Sequence, residues 1–176
     1  MPNQLLTVLM SVYNGSRFLR EAIESILNQT FYDFEFIIIN DGSTDRTAEI
    51  LATYQDKRIR IVRNSDNIGL TKSLNEGLKL ARGKYIARQD ADDISLPKRL
   101  ERQISYLEAQ PDIALLGTWA NSIDERGKIL WEMRPPSDPS LLRWSMLFNN
   151  NMIHSSVMFN AAKAMDIGGY DSSMVY

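Results

Sequence analysis

The fold is decided by the nine residues from Tyr85 to Asp93, which read Tyr-Ile-Ala-Arg-Gln-Asp-Ala-Asp-Asp. A short apolar run, typical of a strand buried in a sheet, stops abruptly in three carboxylates. If the strand extends to Gln89, Asp90 and Asp92 leave its carboxyl end on the same side, because side chains alternate along a strand with a period of two. In open α/β sheets, ligands bind outside the carboxyl ends of the strands. The stretch therefore predicts a buried strand with a ligand site at its end.

The three carboxylates favour a divalent cation. Two carboxylates so close repel each other and resist ionisation unless a cation or water compensates their charge. Oxygen ligands suit Mg2+ or Mn2+, which carboxylates hold while phosphates complete the coordination shell. The alternative is a polar loop in which Asp93 or Ser95 merely caps a helix that opens near Pro97. Capping explains one acidic residue and leaves the other two unexplained, so the sequence favours the metal.

The composition is that of one soluble domain. The chain has 176 residues, of which 44% are hydrophobic and 24% charged, and its net charge is −2. Because this charge is small and no long basic run is present, we expect no nucleic-acid partner. The sequence has no cysteine, which excludes disulfides and thiolate zinc sites within it. No apolar run approaches the roughly 18 residues that cross a bilayer, and no signal peptide pattern opens the chain. We therefore expect a cytoplasmic protein.

Strands and helices are expected to alternate over residues 1–117. Apolar runs are followed by amphipathic stretches of helical spacing, with short polar connections between them. The expected strands are 5–12, 34–39, 59–62, 85–89 and 113–116, and the expected helices lie near 18–27, 48–54, 70–81 and 100–107. This order predicts a mostly parallel sheet flanked by helices, an α/β Rossmann-like fold. Beyond Gly117 we expect a hairpin over 119–131, a helix over 141–148 and a strand over 156–159.

Three polar loops should meet at one edge of this sheet. The loops at 13–14, 40–45 and 90–93 each follow an expected strand, and the carboxyl ends of parallel strands share an edge. Neither G-x-G-x-x-G after the first strand nor G-x-x-x-x-G-K-[ST] is present. A phosphate bound here would need charge compensation from another source, which a divalent cation supplies.

Five motifs resemble those of the family 2 glycosyltransferases. In order they are Ser11-Val12-Tyr13-Asn14, Asn40-Asp41-Gly42-Ser43-Thr44-Asp45, Asn67-Ile68-Gly69, Asp90-Ala91-Asp92-Asp93 and Gly168-Gly169-Tyr170-Asp171. The resemblance implies a GT-A fold and transfer of a sugar, with inversion, from a nucleotide-diphosphate sugar to an acceptor hydroxyl. It also implies Mn2+ or Mg2+ as cofactor, a UDP-sugar as the favoured donor and a glycan or lipid-linked acceptor. Such a protein would work in surface polysaccharide or glycan synthesis, in the cytoplasm or at the inner face of the membrane.

The resemblance also assigns residues to the donor site. The nucleotide-sugar binding set is Ser11, Val12, Tyr13, Asn14, Asp41, Asn67, Gly69, Asp90 and Ala91, and the metal ligands are Asp92 and Asp90. Tyr13 would lie against the base, although a tyrosine at a strand end more often only packs there. Asp41 would accept a hydrogen bond from a ring N–H of the base, although Asp-Gly is also a favoured turn pair.

The same resemblance leaves the catalytic base outside this sequence. In the family the base is the aspartate of a Glu-Asp pair a few residues beyond the Gly-Gly-Tyr-Asp segment, and no such pair follows Asp171. We therefore expect the base beyond Tyr176, a donor-binding half over residues 1–117 and an incomplete acceptor half over 118–176 of one domain. The alternative function is a nucleotide-sugar binding module without turnover, because the base is missing.

Three further features are open or expected to be structural. Arg88 either neutralises the acidic cluster or faces solvent, and the sequence does not decide between these roles. His154, the only histidine, is expected to be a packed, hydrogen-bonded residue rather than a base. Three tryptophans lie in the acceptor half, and at least two of them are expected in the core: Trp119, Trp131 and Trp144.

Overall fold

The computed structural model of the chain describes residues 4–173. Its strands are β1 (Leu6–Val12), β2 (Phe34–Asp41), β3 (Ile59–Asn64), β4 (Tyr85–Arg88), β5 (Leu115–Leu116), β6 (Ala120–Ile123), β7 (Ile129–Met133) and β8 (Met158–Asn160). Its α-helices are α1 (Leu19–Leu27), α2 (Thr47–Ala52), α3 (Leu70–Leu80), α4 (Arg99–Ala109), α5 (Pro139–Ser145) and α6 (Ala161–Asp166). A single 3-10 turn over His154–Ser156 precedes β8 in this part of the chain.

A six-stranded sheet forms the centre of the molecule. Its order is β3-β2-β1-β4-β8-β5, and β1 to β4 are mutually parallel where they pair. β8 runs antiparallel to both of its neighbours, β4 and β5. The predicted α/β fold with a mostly parallel sheet is confirmed. The predicted hairpin is also present, as β6 and β7 form a separate two-stranded sheet.

Both faces of the sheet are covered, which explains why its strands read as continuous apolar runs. All seven residues of β1 are buried. On one face, alternate residues such as Leu6 and Val8 pack against α1, α2 and α4. On the other face, Leu9 and Ile37 pack against Leu74 of α3 and against the segment that contains β8. Parallel crossovers place the loops after β1, β2 and β4 at one edge.

Several expectations about individual elements are wrong. The strand predicted over 113–116 is only two residues long, and β8 separates it from β4. The helix expected near 100–107 is present from Arg99, but the alternative that Asp93 or Ser95 caps it is wrong, because its N-terminus has no side-chain cap. The three tryptophans expected mainly in the core are all exposed, by 57%, 59% and 63% for Trp119, Trp131 and Trp144.

Residues 118–173 are not a separate layer. β8 belongs to this part of the chain, yet it lies between β4 and β5, which both belong to residues 1–117. Met158 is fully buried in the core that α1, α2 and α4 cover. Residues 1–117 and 118–173 therefore contribute strands to one sheet.

Candidate functional site

The loops after β1 and β2 are joined by direct hydrogen bonds. The backbone N–H of Asn14 donates to Ser43 Oγ at 3.0 Å, and Asn14 Oδ1 accepts from the Thr44 N–H at 2.8 Å. Asn14 has a φ of 51°, the left-handed region that asparagine tolerates better than most residues. Asn14 therefore bridges the ends of β1 and β2, and the two loops that it joins form the floor of the candidate site.

Tyr13 is the exposed aromatic residue on this floor. Its side chain is 49% exposed, whereas Ser11 and Val12 just before it are buried in β1. The loop after β4 lies beside Gly15, two residues further along the chain, since a Cβ placed on Gly15 would be 3.6 Å from the Cβ of Ala91. The structure therefore brings the 11–14 and 90–93 motifs together, as the sequence predicts.

Asp41 is buried and its carboxylate is engaged by the protein. Oδ1 accepts from Asn64 Nδ2 at 2.7 Å and from the Ile68 N–H at 3.0 Å, and Oδ2 accepts from the Gly69 N–H at 2.9 Å. Its exposure is 1%. A carboxylate has about four acceptor positions, so three of those on Asp41 are taken, two of them by the third motif. Sequence reasoning missed this contact between two of its own motifs.

Gln89 fixes the shape of the acidic loop. This fully buried amide donates from Nε2 to the carbonyl oxygens of Asp90 at 3.1 Å and Asp93 at 2.7 Å. Its Oε1 accepts from Ser95 Oγ at 2.6 Å and from Arg99 Nη1 at 3.0 Å. Burial lowers the pKa of Arg99 to about 10, and the nearby Arg88 cation adds to this lowering. Because Arg99 is still a cation at neutral pH, it keeps these bonds to the loop.

The role of Arg88 is settled by its position. Its side chain is fully buried, and its Nη2 forms an ion pair with Asp90, whose side chain is 31% exposed. Nη1 donates to the carbonyl oxygens of Leu9 at 3.2 Å and Gln89 at 2.9 Å. Arg88 therefore neutralises part of the acidic cluster from beneath and does not face solvent.

Asp92 and Asp93 are the two exposed carboxylates of the cluster. Partial burial raises the pKa of Asp92, and the neighbouring charges of Asp93 and Asp90 raise it further. Within residues 4–173, no group of three or more His, Cys, Asp or Glu side chains is close enough to hold a metal alone. A donor set of one or two carboxylates still suits Mg2+ or Mn2+, which take their remaining ligands from water and substrate phosphates. The residues present therefore fit a divalent cation that binds together with a diphosphate.

His154 and Tyr170 lie beneath the cluster, on the other side of Arg88. His154 Nε2 is 3.5 Å from Arg88 Nε and 3.2 Å from Tyr170 Oη. Burial lowers the pKa of His154, and the Arg88 cation lowers it further. The expectation that His154 is packed and hydrogen-bonded is confirmed. Asp171, in contrast, is exposed and bonds locally to the N–H and hydroxyl of Ser173 at 2.9 and 2.7 Å.

A mainly apolar cavity of about 550 Å³ opens next to these residues. α3 supplies Leu70, Leu74 and Leu78, and the segment around β8 supplies Val157 and Phe159. Sequence reasoning placed the first three in a helix and the last two in a strand. The apolar stripe of α3 was the available signal, but the sequence alone does not show that part of the stripe faces a cavity.

Residues 7–165 match the model of glycosyl transferase family 2. The chain belongs to this family. Among curated relatives, it is 50% identical over 139 residues to an uncharacterized glycosyltransferase of Methanocaldococcus jannaschii, covering 77% of this chain and 48% of that protein. It is 34% identical over 168 residues to the O-antigen biosynthesis glycosyltransferase WbnJ of Escherichia coli, covering 94% and 65%. The chain thus spans about half to two thirds of the length of these relatives.

Solved structures show the same fold. TarS of S. aureus, residues 1–349 with UDP, superposes with a TM-score of 0.75 at 21% identity, covering 96% of this chain and 51% of that one. The mannosyltransferase PcManGT of Pyrobaculum calidifontis, in complex with GDP-Man and Mn2+, gives 0.73 at 19% identity, covering 96% and 48%. The predicted GT-A fold is confirmed. In the described part of this family member, no helix has both the length and the apolar character needed to cross a membrane.

Proposed function

We propose that this family 2 glycosyltransferase chain binds a nucleotide-diphosphate sugar at the carboxyl edge of its sheet and serves transfer of the sugar, with inversion, to an acceptor hydroxyl. The observation that carries the proposal is the convergence of three loops at this edge, with an exposed aromatic ring and an exposed carboxylate. Tyr13 would lie against the base, and Asn14 would line the floor beside it. Asp90 and Ala91 would face the ribose and the phosphates.

The environment of Asp41 adjusts the role proposed for it. Its carboxylate orients the backbone of Ile68 and Gly69, and this bonding supports the placement of Asn67 and Gly69 near the donor. A remaining lone pair on Asp41 is the one proposed to meet the base. Asp41 would then act on the nucleotide both directly and by holding the third motif.

Mn2+ or Mg2+ is the proposed cofactor. Asp92 would be the main ligand, because it is exposed and because Arg88 already neutralises part of the charge on Asp90. Asp90, whose side chain is 31% exposed, would be the second ligand. When bound, the cation would stabilise the negative charge of the departing diphosphate. PcManGT with GDP-Man and Mn2+ supports this arrangement by analogy of fold.

The acceptor side is proposed in coarser terms. WbnJ is named for O-antigen biosynthesis and AmsE of Erwinia amylovora for amylovoran biosynthesis, which supports surface polysaccharide synthesis as the context. A glycan or lipid-linked acceptor would then be met in the cytoplasm, at the inner face of the membrane. Displacement with inversion needs a base within hydrogen-bond reach of the acceptor hydroxyl. We place that base beyond Tyr176, since Asp171 is occupied by Ser173.

Titration calorimetry with UDP, UDP-GlcNAc and GDP, in Mn2+ and in chelator, tests the donor site. We expect UDP to bind more tightly in Mn2+ and Asp92→Ala to abolish the metal-dependent part. Asp112→Ala is the matched control, because Asp112 is an exposed acidic residue that follows the far end of α4. Equal affinities with and without metal, or normal binding by Asp92→Ala, would refute the metal site. Sugar transfer by this chain would refute the position assigned to the base.

A further inference from the structure

A buried chain of polar contacts runs from the acidic cluster to the Gly-Gly-Tyr-Asp segment. Arg88 is its centre, since this fully buried guanidinium contacts Asp90 on one side and His154 on the other. Nη1 is fixed by two backbone carbonyls, those of Leu9 and Gln89. The remaining two nitrogens orient the planar guanidinium, because Nη2 contacts the carboxylate of Asp90 and Nε contacts the imidazole of His154.

The direction of these hydrogen bonds follows from the chemistry of the groups. Arg88 Nε can only donate, so His154 Nε2 must be the acceptor and the ring proton must sit on Nδ1. The hydroxyl of Tyr170, 3.2 Å away, then shares the single lone pair of this nitrogen as a second donor. The lowered pKa of His154 agrees with a neutral ring in which Nε2 carries no proton.

Tyr170 is itself held in place from two sides. Its N–H donates to Asn75 Oδ1 at 2.9 Å, and its carbonyl accepts from Asn75 Nδ2 at 2.8 Å. Its ring packs edge-on against Phe159, with centroids 6.5 Å apart. Two left-handed glycines, Gly168 and Gly169, allow the chain to reach this position. The motif thereby ties α3 to His154.

We propose that His154 and Tyr170 are positioning residues for the metal-binding carboxylate of Asp90, acting through Arg88. The proposal rests on the proposed donor site. Without the acceptor at His154 Nε2, the buried Nε–H of Arg88 loses its partner, and the guanidinium turns towards the nearest anion. That anion is Asp90, so the cation of Arg88 then competes more strongly with a divalent metal for the same oxygens.

Variants that keep or remove the acceptor at His154 test this. His154→Gln places an amide oxygen near the position of Nε2, whereas His154→Leu removes the acceptor at similar size. Electron paramagnetic resonance of Mn2+, titrated with the 176-residue chain in saturating UDP, measures the affinity for the metal. Since lost support behind a ligand commonly weakens metal affinity by 10- to 100-fold, we expect about a tenfold loss in His154→Leu. His154→Gln should stay close to wild type.

Tyr170→Phe removes the hydroxyl and keeps the ring, so it tests the next contact. We expect about a threefold weaker Mn2+ affinity, in line with the loss of one neutral hydrogen bond. Tyr106→Phe is the matched control, because Tyr106 lies half-exposed on α4. UDP affinity in chelator should stay unchanged in every variant, which a merely structural defect would not allow.

The outcomes separate this inference from the donor-site proposal. If the wild-type chain shows no Mn2+ binding in the presence of UDP, the donor site itself is wrong. If the wild type binds Mn2+ and all three variants bind it equally well, only the positioning role is refuted. Equal losses in His154→Gln and His154→Leu would also refute it, because the acceptor would not be what matters. Should His154→Leu fail to fold, Tyr170→Phe decides alone: weakened Mn2+ binding supports the role, and unchanged binding refutes it.

Discussion

Three carboxylates within four residues occupy two different environments. Asp90 pairs with the buried Arg88, whereas Asp92 and Asp93 are exposed. Partial burial raises the pKa of Asp92, and the charges of Asp93 and Asp90 raise it further. At the scale of single residues, the loop therefore combines one carboxylate that is paired within the protein and partly exposed with two that have no buried cation beside them in an ion pair.

Asp90→Asn should destabilise the folded chain in the absence of metal. The substitution leaves the Arg88 cation buried without an anion, and breaking a fully buried pair costs about 3–5 kcal/mol. Because the Asp90 side chain is 31% exposed and Asn can still accept a hydrogen bond, we expect the free energy of unfolding to fall by about 2 kcal/mol, less than for a fully buried pair. Urea unfolding in chelator measures the change. A stability equal to that of the wild type would show that the ion pair adds nothing.

Asp92→Asn should change the free energy of unfolding in the opposite direction. A carboxyl group whose pKa is raised by folding opposes folding while it is ionised, and the opposition disappears once the group is protonated in both states. The variant should thus be as stable as the wild type or more stable at about pH 7, with the difference vanishing at about pH 3, below the usual carboxyl pKa. Urea unfolding at both pH values checks this. A clear loss of stability at neutral pH would contradict it.

The residues themselves could be found from the sequence, but their mutual contacts could not. Alternation along β4 predicts that Asp90 and Asp92 leave the strand together, yet it cannot tell whether Arg88 faces solvent. That depends on β8, which covers β4 only in the folded chain. The hydrogen bonds from Ile68 and Gly69 to Asp41 join residues 27 and 28 positions apart, and no local pattern encodes such a contact.

At the scale of elements, close packing of two loops sets the floor of the proposed donor site. Gly42, with φ of 68°, follows β2 and lies against the backbone of the β3–α3 connection. A Cβ at this position would stand 2.6 Å from the backbone nitrogen of Asn67, inside any van der Waals contact. Glycine is required here for two separate reasons, its backbone conformation and its lack of a side chain.

Gly42→Ala should therefore cost more than a left-handed alanine alone. The conformation costs about 1–2 kcal/mol, and the overlap with Asn67 adds about 1–3 kcal/mol. Gly127→Ala is the control, because Gly127 has φ of 76° but open space around it. Thermal unfolding should rank Gly42→Ala as clearly less stable than Gly127→Ala, and its UDP affinity should fall as the 67–69 segment shifts. Equal stabilities would remove the packing argument.

The elements that are buried on both faces could be predicted from the sequence, whereas the positions of the exposed elements in the fold could not. β1, β2 and the apolar stripe of α3 follow from periodicity, because burial dictates their composition. The hairpin of β6 and β7 is also visible in the sequence, but the place of its tryptophans is not. A tryptophan in a sequence favours burial, but the described residues leave more than half of the surface of Trp119 and Trp131 exposed.

At the scale of the whole molecule, β8 makes the two halves of the chain interdependent. It pairs with β4 along Tyr85, Ile86 and Ala87, and with β5 on its other side. Sequence order could not reveal this, since the expected strand at 113–116 would most simply pair with β4 itself. A strand that arrives late in the chain and inserts antiparallel is decided by packing, not by local propensity.

A fragment of residues 1–117 should accordingly fail to fold cooperatively. It would expose the edge of β4 and leave β5 without a pairing partner, and the two sides of the core would lose Met158 and Phe159.

A trimmed chain in which a two-residue Asn-Gly turn replaces 121–132 should fold, because Ala120 and Met133 pair directly across the hairpin and such a turn closes paired strands. Among the described ion pairs, the trimming removes Arg17–Glu125, which joins the β1–α1 loop to the hairpin, and Arg134–Glu132. Both are exposed, and exposed pairs contribute about 0–1 kcal/mol. Urea unfolding followed by near-ultraviolet circular dichroism distinguishes the two: a single sharp transition is expected for the trimmed chain and none for the fragment. A sharp transition in the 1–117 fragment would show that residues 1–117 fold independently and that β8 is dispensable to them.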